Sequence, residues 1–197
     1  MNPTQEKERV AGRNICVFCA SSDGTDPIFL AAAKALGRAI AERGWHLVYG
    51  GAEVGLMGAM ADAALAAGGS VTGLIPRTLF TREIAHRGLT ELIEVNSMHE
   101  RKAEMARRAD AFLVLPGGLG TLDELCEILT WALLGIHDKP IVLINIGGYW
   151  DAFLGMLDGA VRAGFLRDKH RALSRVAPDA AAACDLVTRF WSHERNF

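Results

Sequence analysis

The chain has 197 residues, of which 50% are hydrophobic and 22% charged, with a formal net charge of −2. At roughly 150 residues per domain this describes one compact domain with ample core, and it excludes a disordered or fibrous chain. Mild acidity argues against a nucleic-acid binder, whose footprint is basic, and no apolar run approaches the ~20 residues of a membrane helix.

Residues 1–13 lack the apolar stretch of a secretory signal and read as a solvated, disordered tail, so the expected location is cytoplasmic. The first predicted strand covers 15–20. Cys16 and Cys19 formally make a CxxC pair there, but residues three apart on a strand face opposite ways, which favours buried structural thiols over a metal or redox site. Asp26-Pro27 supplies an N-cap and a first-turn proline for a helix whose apolar face (Phe29, Ala33, Leu36, Ile40) runs to Gly44. A strand at 46–49 precedes a helical stripe (Met57, Met60, Ala61, Ala64, Leu65) that stops at Gly68-Gly69. Strands follow at 71–75 and 92–95.

Ser97-Met-His-Glu100 has the pattern of a capping box, and Thr121-Leu-Asp-Glu124, after a strand at 111–115, has the same pattern. A strand at 141–144, a weaker one at 172–176 and a helix over 178–191 complete the order. Most strands are apolar throughout, as expected where helices cover both faces of a parallel sheet. The expected fold is therefore α/β, a single Rossmann-like doubly wound, mainly parallel sheet with helices on both faces, over residues 14–197.

In such a sheet, ligands bind where strand carboxyl ends feed helix N-termini. Three junctions stand out. Cys19-Ala-Ser21-Ser22-Asp-Gly24 offers hydroxyls for a phosphate or sugar, or is an ordinary turn. Tyr49-Gly50-Gly51 with Gly55 and Gly58 allows close backbone approach, serving either a ligand or tight packing. The third, Pro116-Gly117-Gly118-Leu119-Gly120-Thr121-Leu122-Asp123-Glu124, sets three glycines before a helix and offers backbone N–H groups to an anion. It lacks the Lys-Ser/Thr ending of a Walker loop, and neither the second junction nor the first strand carries GxGxxG, so triphosphate hydrolysis and a dinucleotide site are disfavoured. Arg101 and Lys102 break a local rule: cations in a helix's first turn oppose its dipole, which is understandable if they face an anion.

Ser97-Met-His-Glu-Arg101-Lys102 followed by the PGGxGTxxE segment 116–124 resembles the paired motifs of the Lonely Guy family of cytokinin riboside 5′-monophosphate phosphoribohydrolases. The likeness extends to Val17-Phe-Cys-Ala-Ser-Ser22, Val48-Tyr-Gly-Gly51 and Leu134-Gly-Ile-His-Asp-Lys-Pro140, and covers about residues 14 to 190. It implies hydrolysis of the N-glycosidic bond of a nucleoside 5′-monophosphate, without cofactor or metal, by a homodimer with its site near the interface. Arg101 and Glu124 would be the catalytic pair. Glu83, Lys102, the segment 117–123 and Thr130 would contact the nucleotide, with Ser21, Gly50 and Gly51 joining from the other two junctions. Leu119 stands where several plant members carry an aromatic residue. The rival reading is a nucleotide-binding or sensing module that uses the same glycine loop without turnover.

Overall fold

A computed structural model describes residues 12–78 and 85–193. The strands β1 (Asn14–Phe18), β2 (His46–Tyr49), β3 (Ser70–Pro76), β4 (Glu91–Val95), β5 (Ala111–Val114), β6 (Ile141–Ile144) and β7 (Ser174–Ala177) form one sheet in the order β4-β3-β2-β1-β5-β6-β7. Every pairing is parallel. The helices are α1 (Pro27–Glu42), α2 (Gly55–Ala66), α3 (Met98–Arg108), α4 (Leu119–Leu133), α5 (Asp151–Arg162), α6 (Asp168–Arg171) and α7 (Ala180–His193). The chain winds outward from β1 to β4, then returns and winds the other way from β5 to β7. The reversal falls between β1 and β5, where Ile15 pairs with Ala111 and Phe18 with Val114.

Alternation along β1 splits the core in two. Ile15, Val17 and Cys19 join a cluster with Leu36, Met60 and Trp45 under α1, α2 and α7. Cys16 and Phe18 join Met105, Phe112 and Leu125 under α3, α4 and the start of α5. The two thiols thus lie on opposite faces of the sheet, and burial raises the pKa of both. The large buried side chains, each worth about 1.5–3 kcal/mol of transfer free energy, are divided between these layers. Gly37 lets α1 and α2 touch: a Cβ there would lie 2.1 Å from the Met60 carbonyl oxygen.

The helix starts follow local chemistry. Asp26 accepts from the Ile28 N–H at 2.9 Å, and Pro27 opens α1. Ser97 caps α3 by accepting from the Glu100 N–H at 3.1 Å, but the returning Glu100 carboxylate takes the Asn96 N–H at 2.8 Å, one residue upstream of a standard box. The second expected box does not form. Gly118 is the N-cap of α4 and no side chain caps it, so the helix begins three residues earlier than the Thr-x-x-Glu pattern indicates, and Thr121 and Glu124 are turned inward. At the chain ends, β7 and α7 begin about two residues later than expected, and α5 and α6 were not anticipated. Gly12 and Arg13 already contact the domain: the Gly12 N–H donates to Gly44, and Arg13 lies over the Trp191 ring.

Candidate active site

A cleft of about 300 Å³ opens above the carboxyl ends of β1 and β5, at the point where the strand order reverses. The turn after β1 contributes Cys19 to Ser22, α2 contributes Met57, α3 contributes Met98 and Arg101, and the start of α4 forms the remaining wall. This is the place an open parallel sheet reserves for a ligand.

Of the three helices that begin beside the cleft, α3 is capped by the Ser97 side chain, and the other two differ. At α2 the first N–H groups are already taken, Leu56 by the Ser22 carbonyl at 3.4 Å and Met57 by that of Ala20 at 3.3 Å. At α4, Gly118 has an extended backbone and no capping side chain, so the N–H groups of Leu119, Gly120 and Thr121 have no acceptor within the helix. Gly118, Leu119 and Gly120 are exposed there. An anion finds its donors and its favourable dipole at α4.

Arg101 and Glu124 lie at the back of this cleft, 6% and 8% exposed. Nη2 of Arg101 stands 3.7 Å from Oε1 of Glu124, an ion-pair distance too long for a direct hydrogen bond. Nη1 donates to the Met98 sulfur at 3.8 Å, and Nε finds no acceptor among the described residues. A guanidinium is always charged and carries five donors, so one buried with a distant carboxylate and a thioether for company still has donors to offer. Cys19 stays a thiol: burial pushes its pKa well up, and the Glu124 charge pushes it further.

A family model described as "Possible lysine decarboxylase" matches residues 57–187. A probable cytokinin riboside 5′-monophosphate phosphoribohydrolase of Oryza sativa subsp. japonica, LOGL9, is 51% identical over 85% of this chain and 74% of its own. The cytokinin riboside 5′-monophosphate phosphoribohydrolase LOG7 of Arabidopsis thaliana is 46% identical over 98% of this chain and 87% of its own. The chain belongs to the Lonely Guy family. Among solved structures, the molybdenum cofactor binding protein of Rippkaea orientalis matches with a TM-score of 0.70 and 22% identity, covering 91% of this chain and 98% of that one, and so shares the fold.

In this Lonely Guy protein the cleft brings together Ser21, Arg101, Gly118, Leu119, Gly120, Thr121, Asp123 and Glu124 of the residues singled out by sequence. Gly117 lies just behind it, against Thr121 and Ala20, and the other described ones do not line it. Leu122 packs into the core against α3's side of the sheet, and its N–H serves the Gly118 carbonyl. Lys102 is tied to Asp123 at 2.9 Å and Glu127 at 3.2 Å, joining α3 to α4. Burial works to lower its pKa, but these two carboxylates outweigh it and hold the ammonium above its ordinary value. Thr130 donates to the Cys126 carbonyl and opens onto a separate apolar groove with Leu133, Phe153 and Met156. Glu83 lies outside the described residues.

The glycines after β2 position other groups. Gly51 has φ +80° and packs on the backbone of Gly73 and Leu74. Gly50 makes room for the arginine: a Cβ there would stand 2.0 Å from Nη2 of Arg101 and 2.9 Å from the Met57 sulfur. Both neighbours are ends of long side chains, so Gly50→Ala is expected to displace the guanidinium at a cost of about 1–3 kcal/mol of stability and, if Arg101 acts on the substrate, to lower kcat about tenfold or more. Urea unfolding together with steady-state kinetics checks this; a variant with unchanged kcat would show that the space above Gly50 is not needed by Arg101.

Proposed function

We propose that the chain hydrolyses the N-glycosidic bond of adenosine 5′-monophosphates, N6-substituted as in cytokinin riboside 5′-monophosphate, unsubstituted as in AMP, or both, releasing free base and ribose 5-phosphate. The observation that carries the reading is the buried Arg101–Glu124 pair beside an uncapped helix N-terminus in one cleft. The names of the relatives support the same reaction.

The chemistry follows from the residue types. The 5′-phosphate takes the N–H groups at the start of α4. Breaking the bond from C1′ to the base builds positive charge on the sugar, which the Glu124 carboxylate stabilises while drawing a proton from the attacking water. The water oxygen bonds to C1′, the base leaves with the bonding electron pair, and the proton that Glu124 took from water ends on the base by way of solvent, which restores the carboxylate. Arg101 stays charged throughout and stabilises phosphate or leaving-group charge instead of transferring a proton. Glu83, Lys102 and Thr130 enter as nucleotide contacts through the family resemblance. A decarboxylase of the kind the family description names would need an unpaired lysine amine for Schiff-base chemistry, and Lys102, held between two carboxylates, is a poor candidate.

The protein works in the cytoplasm as a homodimer. No described helix is long and apolar enough to cross a membrane. Helix α5 fully buries no residue, Met156 is exposed in the groove that holds Thr130, and Leu134 and Phe165, next in sequence to the groove residues Leu133 and Leu166, are exposed too, an apolar surface suited to a second copy. Thr130 then stands at the subunit boundary. Sedimentation at micromolar concentration is expected to give twice the chain mass, and Met156→Asp to give the monomer; a monomeric wild type would overturn the assembly.

The reaction itself is tested by incubating the protein with AMP and with N6-isopentenyl-AMP and measuring free base. Release of base with matching ribose 5-phosphate is the expected result. Stoichiometric binding without release would leave the chain a nucleotide-binding module.

A further inference from the structure

The sequence between β6 and α5, Asn145-Ile-Gly-Gly-Tyr149-Trp-Asp151, has no part in the catalytic reading above. It forms a tight turn at the carboxyl end of the strand next to β5. Gly147 and Gly148 take φ values of +60° and +75°, a region open to glycine, and reverse the chain within one 3-10 turn. Asn145 fixes the turn from below. Its side-chain Oδ1 accepts the Trp150 N–H at 2.7 Å, and its side-chain Nδ2 donates to Asp151 at 2.7 Å. Tyr149 is thereby directed back over β5, with its ring edge-on to Phe29 and to Trp150.

The Tyr149 hydroxyl donates to the carbonyl of Gly117 at 2.6 Å. Gly117 is fixed from its other side as well: a Cβ there would lie 2.1 Å from the Thr121 hydroxyl and 3.0 Å from the Ala20 nitrogen, so the backbone is wedged between β1's turn and α4. In a trans peptide the carbonyl and the following N–H point in opposite directions. Holding the Gly117 carbonyl against Tyr149 therefore sets the direction of the Gly118 N–H and, with it, the path by which the chain enters the α4 N-terminus.

We propose that Tyr149 is a positioning residue for the phosphate cradle, its hydroxyl orienting the Gly117–Gly118 peptide so that the first N–H groups of the loop are set for the 5′-phosphate before ligand arrives. The proposal rests on the assignment of the α4 N-terminus to that phosphate. Tyr149 has no role in bond cleavage; it acts through Gly117.

Tyr149→Phe tests this, because the ring contacts with Phe29 and Trp150 survive and only the hydroxyl is lost. KM for AMP or N6-isopentenyl-AMP is expected to rise about 3- to 10-fold, the usual span for one net hydrogen bond, with kcat moving less than about twofold. The calorimetric Kd of AMP and of ribose 5-phosphate should weaken by the same factor, while Tm stays within a few degrees. Unchanged Kd values, or a fall in kcat at constant KM, would overturn the proposal, as would a Tm loss large enough to indicate general loosening. Should the wild-type protein bind AMP but release no base, the hydrolytic reading alone fails, and the two Kd comparisons still decide the role of Tyr149. A wild-type protein that binds neither AMP nor ribose 5-phosphate overturns the proposal together with the phosphate site.

Discussion

Glu124→Gln is expected to reduce kcat by about 10²- to 10⁴-fold, the range general acid–base groups supply, while the Kd of the nucleotide changes by no more than about threefold. The amide matches the carboxylate in shape but can neither carry the negative charge that steadies a cationic sugar nor accept a proton from water. The nucleotide contacts proposed for the α4 N–H groups are untouched, which separates chemistry from binding. Single-turnover release of base and calorimetry on the same preparation measure the two quantities. Turnover near that of the wild type would remove Glu124 from the catalytic role. A loss of stability accompanies the substitution, because Arg101 is left 6% exposed with its counter-charge gone.

Arg101→Lys is expected to lower kcat/KM by about 10²- to 10³-fold even though the charge is kept, a loss of the size seen when one preorganised donor is removed from an active site. The guanidinium is held in a fixed orientation, with Nη1 on the Met98 sulfur and Nη2 above Gly50. A lysine ammonium is a single point on a flexible stem and cannot present two donors in that plane. A lysine variant within about fivefold of wild type would show that positive charge alone suffices. The energetics give a companion result. Replacing both members of the pair, Arg101→Met with Glu124→Leu, removes two buried charges at once and should be more stable in urea than either single variant, while remaining inactive. That outcome would mean that the pair costs the fold stability, as the proposed role toward a ligand requires.

Much of the framework is legible in the amino-acid order because burial on both faces leaves the inner strands largely apolar, and β2 and β6 coincide with the runs 46–49 and 141–144. Helix α5 was not legible in the same way. Its apolar stripe of Phe153, Leu154, Leu157 and Val161 is present in the sequence, with Phe153 and Leu154 against the core, but it is only half-buried and follows a glycine turn that reads as loop. The Thr121–Glu124 pattern misled for a different reason: a capping box and an inward-facing pair are written with the same letters, and only the extended backbone of Gly118 decides between them. Arg101 was detectable as a cation in an unfavourable helix turn, but the need for Gly50 beneath it appears only when β2 and α3 are placed side by side. Tyr149 left no signal at all, since its partner is a backbone carbonyl 32 residues away in the chain.

The pairing of β1 with β5 beneath the cleft has a consequence for how the protein comes into being. Ile15 and Ala111 are roughly a hundred residues apart, and every other neighbour in the sheet is also a parallel crossover partner. Closing a loop of that length costs entropy before any contact repays it, and sheets of this kind form slowly. During synthesis the first strand must wait in an incomplete sheet until the fifth has emerged, and Glu124 follows later still. No fragment ending before α4 can hold the cleft. Recovery of activity after dilution from denaturant should therefore trail the return of helical signal, making turnover a late marker of refolding.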